Sequence, residues 1–270
     1  MPCLFREAGQ IFARMNLTLP ELTSSRYRSP SQIIRVISEL WMTNEMYCPS
    51  CGNASLFHLP NNSKVADFKC ESCGEIYELK SKRGSVGKTL LDGAYYAALS
   101  RITSSTNPNL FVMRYHENIV EDLTVVPKYF FTPDILKIRP PLAQTARRAG
   151  YVGSWIKYSE IPIVGKIPVI ESHRERDKEL VLRNYAEAVK LKVGDINLRG
   201  WLMDILKCTD KIAHDIFSLD DICVFTEELS RKHPDNHNIR AKIRQQLQYL
   251  RDKGFIEFLG GGRYRKIRRG

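Results

Sequence analysis

Fourteen residues of this chain carry two kinds of chemistry. The run Asp67-Phe-Lys-Cys70-Glu-Ser-Cys73-Gly-Glu-Ile-Tyr-Glu78-Leu-Lys80 interleaves half of a four-cysteine metal site with an acid and then an acid-x-lysine triplet. Two carboxylates and an ammonium group at that spacing suit metal-assisted hydrolysis of a phosphodiester. A divalent cation would be held by the acids, and the lysine would orient or help deprotonate the attacking water.

The cysteines pair by spacing. Cys48-Pro-Ser-Cys51-Gly and Cys70-Glu-Ser-Cys73-Gly are separated by 18 residues between Cys51 and Cys70, a tetrahedral Cys-four zinc arrangement. Each turn lets two thiolates reach one ion, and the glycine after it supplies left-handed backbone. Four protein ligands close the coordination sphere, so this metal is expected to be structural zinc. Cys3, Cys208 and Cys223 have no such company, and Cys208 falls in a helical stripe with Trp201, Ile205 and Ile212 as a core thiol.

The elements around the acids follow from alternation. Lys64–Phe68 and Ile76–Lys80 read as short strands joined through the second cysteine turn. A turn centred between Ser72 and Cys73 sets Asp67 opposite Glu78. Ala66, Phe68, Tyr77 and Leu79 then share one face, and Asp67, Glu78 and Lys80 the other. Opposed carboxylates repel, and a hard cation such as magnesium between them removes the conflict. The Leu79 carbonyl is a further candidate ligand.

Composition limits the partners. The 270 residues carry a formal charge of +11 with 43% apolar content, which suits two soluble domains and an anionic partner, nucleic acid before membrane. Apolar stretches such as 110–113 and 161–164 fall far short of the roughly 18 residues that cross a bilayer. The N-terminus has no compact apolar run ending in a cleavage site, so no secretory signal is expected. Seven cysteines without such a signal point to a reducing, cytosolic compartment. None of the six histidines forms an HxH or HExxH pattern, and all read as surface or loop residues. A ββα-metal nuclease, which needs a catalytic histidine, is disfavoured.

Downstream, 88–103 reads as a helix, 109–115 and 123–130 as strands, and 174–192 as largely helical. Val193-Gly194-Asp195 reads as a seam. Helices at 198–212, 219–231 and 238–253 follow, then a hairpin of 255–259 and 263–267 around Gly260-Gly261-Gly262. The last helix buries Ile239, Ile243, Leu247 and Leu250. Its outer face presents Ala241, Gln245 and Gln248 flanked by Lys242 and Arg244, a composition suited to reading adenine edges and gripping phosphates. Arg263, Tyr264, Arg265 and Lys266 make a basic wing. From Ile239 to the end, ten Lys or Arg face only Asp252 and Glu257, a local charge of +8. Arg147 and Arg148, with Tyr151 close by, are either a loop ion pair or DNA contacts.

The run Val65-Ala66-Asp67, then Glu78-Leu79-Lys80-Ser81-Lys82, with its flanking cysteine pairs, resembles the PD-(D/E)xK nuclease superfamily, specifically the DpnI-type restriction endonucleases. Asp92-Gly93-Ala94-Tyr95, Asn107-Pro108-Asn109, Arg139-Pro140-Pro141-Leu142-Ala143, Thr145-Ala146-Arg147-Arg148-Ala149-Gly150, Arg199-Gly200-Trp201 and the run 242–248 extend the likeness from about Met15 onward. The resemblance implies an α/β PD-(D/E)xK core with a Cys-four zinc site over 15–193, and an α+β winged-helix domain over 194–270. Residues 1–14 are an expected extension. It further implies magnesium-dependent cutting of double-stranded DNA at GATC carrying 6-methyladenine, with no obligatory protein partner and a monomer admissible. It turns Arg147 and Arg148 toward DNA. The family pattern has tryptophan where this chain has Tyr151, whose ring face also suits a methyl group. The competing expectation is a zinc-containing winged-helix DNA-binding regulator with an inactive nuclease core.

Overall fold

The computed structural model describes residues 14–21, 29–60, 63, 66–104 and 106–267. The expected extension up to Ala13, Lys64 and Val65 of the first predicted strand, and Cys3 lie outside them.

Helix α1 (Pro30–Glu45) precedes two short strands, β1 (Phe57–His58) and β2 (Phe68–Lys69), and the long β3 (Ile76–Arg83). Next come β4 (Leu90–Ala94), α2 (Tyr95–Ile102), β5 (Asn109–His116), β6 (Ile119–Val126), β7 (Leu136–Ile138), β8 (Gly153–Ile156), β9 (Ile167–Glu171), β10 (Arg174–Glu175) and α3 (Lys178–Val189). One seven-stranded sheet runs β1-β2-β3-β5-β6-β9-β10, and a three-stranded sheet runs β4-β8-β7. In the larger sheet only the β3–β5 pairing is parallel. This suits the apolar run of β5, whose Leu110, Phe111, Val112 and Met113 are all buried. Tyr77 of β3 stacks on Phe111 with ring centroids 5.0 Å apart.

Helix α1 has no counterpart in the sequence expectation. It starts on Pro30, buries Ser38, Glu39, Trp41 and Met42, and is tied down by the Trp41 indole N–H, which donates to the Asn16 carbonyl at 2.7 Å. Helix α3 is capped by Asp177, whose carboxylate accepts from Leu180 N–H, so 174–192 is helical only from Lys178.

The expected helix over 88–103 begins only at Tyr95. Leu90–Ala94 is instead a strand paired antiparallel with Gly153–Ile156. A partner some sixty residues away and the non-helical preference of Gly93 override the local pattern. Strand β6 begins at Ile119 and stops at Val126 because Pro127 cannot donate to a ladder.

The C-terminal part is helix-turn-helix-like. It comprises α4 (Ile196–Lys211), β11 (Ile216–Ser218), α5 (Leu219–Cys223), α6 (Thr226–Lys232), α7 (Ile239–Asp252), β12 (Ile256–Gly260) and β13 (Arg263–Lys266), with sheet order β11-β13-β12. The single helix expected over 219–231 is thus two. Ser218 and Asp221 form a capping box that starts the first of them. Arg199 holds the junction: its guanidinium donates to the carbonyls of Val193 (2.9 Å) and Phe131 (3.4 Å). Among the described residues no helix is long and apolar enough to cross a membrane.

Candidate catalytic site and nucleic-acid interface

The four cysteine sulfurs lie within 4.8 Å of one another. Cys48 and Cys73 are 3.6 Å apart, as are Cys51 and Cys70. The edge of a tetrahedral thiolate set at a Zn–S distance of about 2.3 Å is about 3.8 Å, so the donor set fits zinc. Both turns are built alike. Gly52 and Gly74, at φ 78° and 77°, donate back to the carbonyls of Cys48 and Cys70. The Tyr77 hydroxyl is 3.1 Å from Cys48 Sγ, so β3 is pinned to the cysteine cluster one residue before Glu78.

Strand β2 pairs with β3 in the register Phe68↔Tyr77 and Lys69↔Ile76. Continuing that register sets Asp67 opposite Glu78. The first strand is shorter than 64–68 predicts, because regular pairing starts at Phe68. Asp67 is nonetheless fixed: its N–H donates to the Tyr77 carbonyl at 2.9 Å, and its carboxylate accepts the Leu79 N–H at 2.7 Å.

Lys80 Nζ lies 2.5 Å from a Glu78 oxygen and 2.9 Å from Asp92. Burial alone would lower its pKa, but the Glu78 and Asp92 carboxylates outweigh it and hold it above the ordinary lysine range. Lys80 is therefore an ammonium donor in this setting. Burial also opposes ionisation of Asp92, yet Lys80 draws its pKa below the usual carboxylate value. Arg101 approaches the other Glu78 oxygen at 3.5 Å.

Two acids of this cluster stand outside the set assigned from sequence, which leaves an upstream acid such as Glu39 open. Glu39 is 8% exposed on α1, with His58 Nε2 at 3.2 Å and Arg35 at 3.8 Å. Its place on the buried side of an amphipathic helix emerges only with α1. Asp92 was masked by the helical reading of 88–103. His58 lies in β1 and so departs from the expectation of a surface or loop histidine, whereas His233 sits in the loop after α6, stacked on Trp201 at 3.8 Å and in contact with the buried Asp204.

Burial first, then the charges of Glu78 and Glu39, raise the Asp67 pKa; the Leu79 N–H works the other way without cancelling them. The folded protein thus takes up this proton at higher pH than the unfolded chain. Ionised Asp67 costs stability above its folded pKa, and the cost disappears as pH falls toward the unfolded value. Asp67→Asn keeps an oxygen for Leu79 N–H and loses the charge. In metal-free protein it should stabilise the fold at neutral pH by about 1 kcal/mol or less, read as a higher thermal midpoint. That gain should shrink on acidification, and scanning calorimetry at two pH values checks both points.

The candidate DNA contacts fall into three groups. Arg147 and Arg148 are exposed on the loop between β7 and β8, and the Arg148 guanidinium lies 3.9 Å from the centroid of the half-buried Tyr151 ring. On α7, Ala241, Arg244, Gln245 and Gln248 are exposed, and Lys242 donates to Gln245 Oε1 at 2.7 Å. Arg263 and Arg265 are exposed on β13, with Arg265 paired to Glu257 at 2.9 Å. Lys266 is turned inward, donating to the Ile212 carbonyl. Tyr264 requires a correction: it is 8% exposed and packs between Phe217 and Phe258 as core of the small sheet. In β13 its side chain alternates away from Arg263 and Arg265.

Comparison with protein families gives two matches. Residues 15–193 match the DpnI family model, described as Dam-replacing, and residues 197–266 match its C-terminal model, the Dam-replacing HTH domain.

Proposed function

The chain belongs to the DpnI, or Dam-replacing, family, and from that premise we propose that it is a type II restriction endonuclease that cuts double-stranded DNA at GATC bearing 6-methyladenine. The observation that carries this reading is the meeting of Asp67, Glu78 and Lys80 at one edge of the β2–β3 hairpin, with Lys80 held by Glu78 and Asp92. We assign catalysis to a PD-(D/E)xK core over 15–193 and part of the sequence and methyl reading to 194–270.

Asp67 and Glu78, with the Leu79 carbonyl, are the residues that would hold magnesium. Their fit rests on two acids opposed at close quarters, one of them with its ionisation already opposed by the other's charge. Bound there, the cation would supply charge stabilisation for the phosphodiester and a more acidic water. Lys80, kept protonated, works as a donor that orients the attacking water or the phosphate oxygen. Structural zinc on Cys48, Cys51, Cys70 and Cys73 would hold the hairpin's turn. Arg147, Arg148 and Tyr151 would meet DNA near the cut, and α7 with the Arg263 and Arg265 side chains would grip the duplex from the second domain. A metal-dependent nuclease should nick or linearise a methylated GATC plasmid in magnesium. Bound but intact plasmid would instead favour a DNA-binding regulator with an inactive core.

A further inference from the structure

The sheet β4-β8-β7 has two unlike faces. Leu90, Leu136, Ser154 and Ile156 are buried, and Asp92 on the same side of β4 reaches Lys80. The alternate positions face outward. Leu91, 54% exposed, pairs with Trp155, and Trp155 pairs with Lys137. One cross-strand row therefore reads aliphatic, indole, ammonium. Lys137 Nζ stands 5.5 Å and Arg139 Cζ 5.4 Å from the Trp155 ring centroid.

This row is continuous with the candidate base-reading loop. Arg139 crosses Gly153, where a Cβ would lie 3.2 Å from its side chain and 3.4 Å from the Tyr151 ring. Glycine there lets Arg139, Tyr151 and Trp155 share one surface, with Arg148 stacked on Tyr151 at the far end. Among the described residues, none of Lys137, Arg139 and Arg148 has an acidic partner within 4.0 Å. Cations held on an aromatic ring with no acid to neutralise them match a phosphate backbone. The rings offer flat apolar surface to sugars.

We propose that this outer face is an additional DNA contact, taking the sugar–phosphate backbone beyond the recognition sequence. It rests on the DNA-cutting reading above. The opposite face of the same sheet carries the link from Asp92 to Lys80, which puts this patch outside the catalytic cluster, so the backbone it takes is not that at the scissile bond. The contact is insensitive to sequence, since cations held on a ring face act here on phosphates and the rings on sugars.

The test uses the full chain in magnesium-free buffer with two duplexes, one of ~40 base pairs with a central methylated GATC and one of ~12 base pairs. The double variant Lys137→Ala, Arg139→Ala should flatten the log affinity against log salt slope for the long duplex by about 1.8, from about 0.9 per phosphate contact. It should leave the short duplex within about twofold, and an unchanged thermal midpoint and zinc content verify folding. A second readout uses tryptophan emission, because Trp41 and Trp201 are 1% and 6% exposed and Trp155 is half-buried. Long duplex should protect wild type from iodide quenching, and Trp155→Phe should remove that protection. An unchanged slope together with unchanged protection overturns the proposal while leaving the nuclease reading intact. Failure of wild type to bind either duplex overturns both.

Discussion

Asp67→Ala should abolish cleavage, by at least about 1,000-fold, and leave affinity for methylated duplex within about threefold. The Asp67 carboxylate accepts the Leu79 N–H. Its backbone is held independently, through Tyr77 and through Leu59, whose N–H donates to the Asp67 carbonyl. Removing the side chain therefore takes away the proposed magnesium ligand without releasing the hairpin. The arginines and α7 that would carry binding lie on other elements. Digestion and gel-shift measurements on one preparation check the split. Retained cleavage would remove Asp67 from the reaction, and lost binding would mean that it supports DNA contact instead.

Cys70→Ser should act on folding. Cys70 is fully buried, and its N–H donates to Glu75 O to close the second knuckle. Structural zinc binding is worth about 10–16 kcal/mol in small domains, comparable with the whole stability of a domain. Losing one of four thiolates should therefore strip the zinc and leave little soluble protein. The damage should reach the active site through β3, where Tyr77 touches Cys48 and the next residue is Glu78. Zinc content by elemental analysis, with circular dichroism of whatever remains soluble, measures this. A zinc-free variant that stays folded and cuts DNA would refute a structural metal.

What could be read from the chain depended on how local the contact is. The cysteine turns and the Asp67–Glu78 register lie within one hairpin, so spacing alone places them. The α7 stripe of Ile239, Ile243, Leu247 and Leu250 is also local, and all four are buried. Gln246 is buried beside them, which a periodicity of apolar residues does not report. The misreadings are non-local. Leu90–Ala94 is a strand because Gly153–Ile156 lies beside it, and with that pairing Asp92 turns toward Lys80. Glu39 joins the site only through the packing of α1 on β3. Tyr264 has the charged neighbours of a DNA-facing residue, but strand alternation and Phe217 take its ring inward.

The most direct measurement is digestion of two plasmids identical in sequence, one methylated at adenine in every GATC and one unmethylated, with purified protein and magnesium. A GATC fragment pattern from the methylated plasmid and intact unmethylated DNA are expected. Cutting of both, of the unmethylated plasmid alone, or of neither would contradict the proposed function.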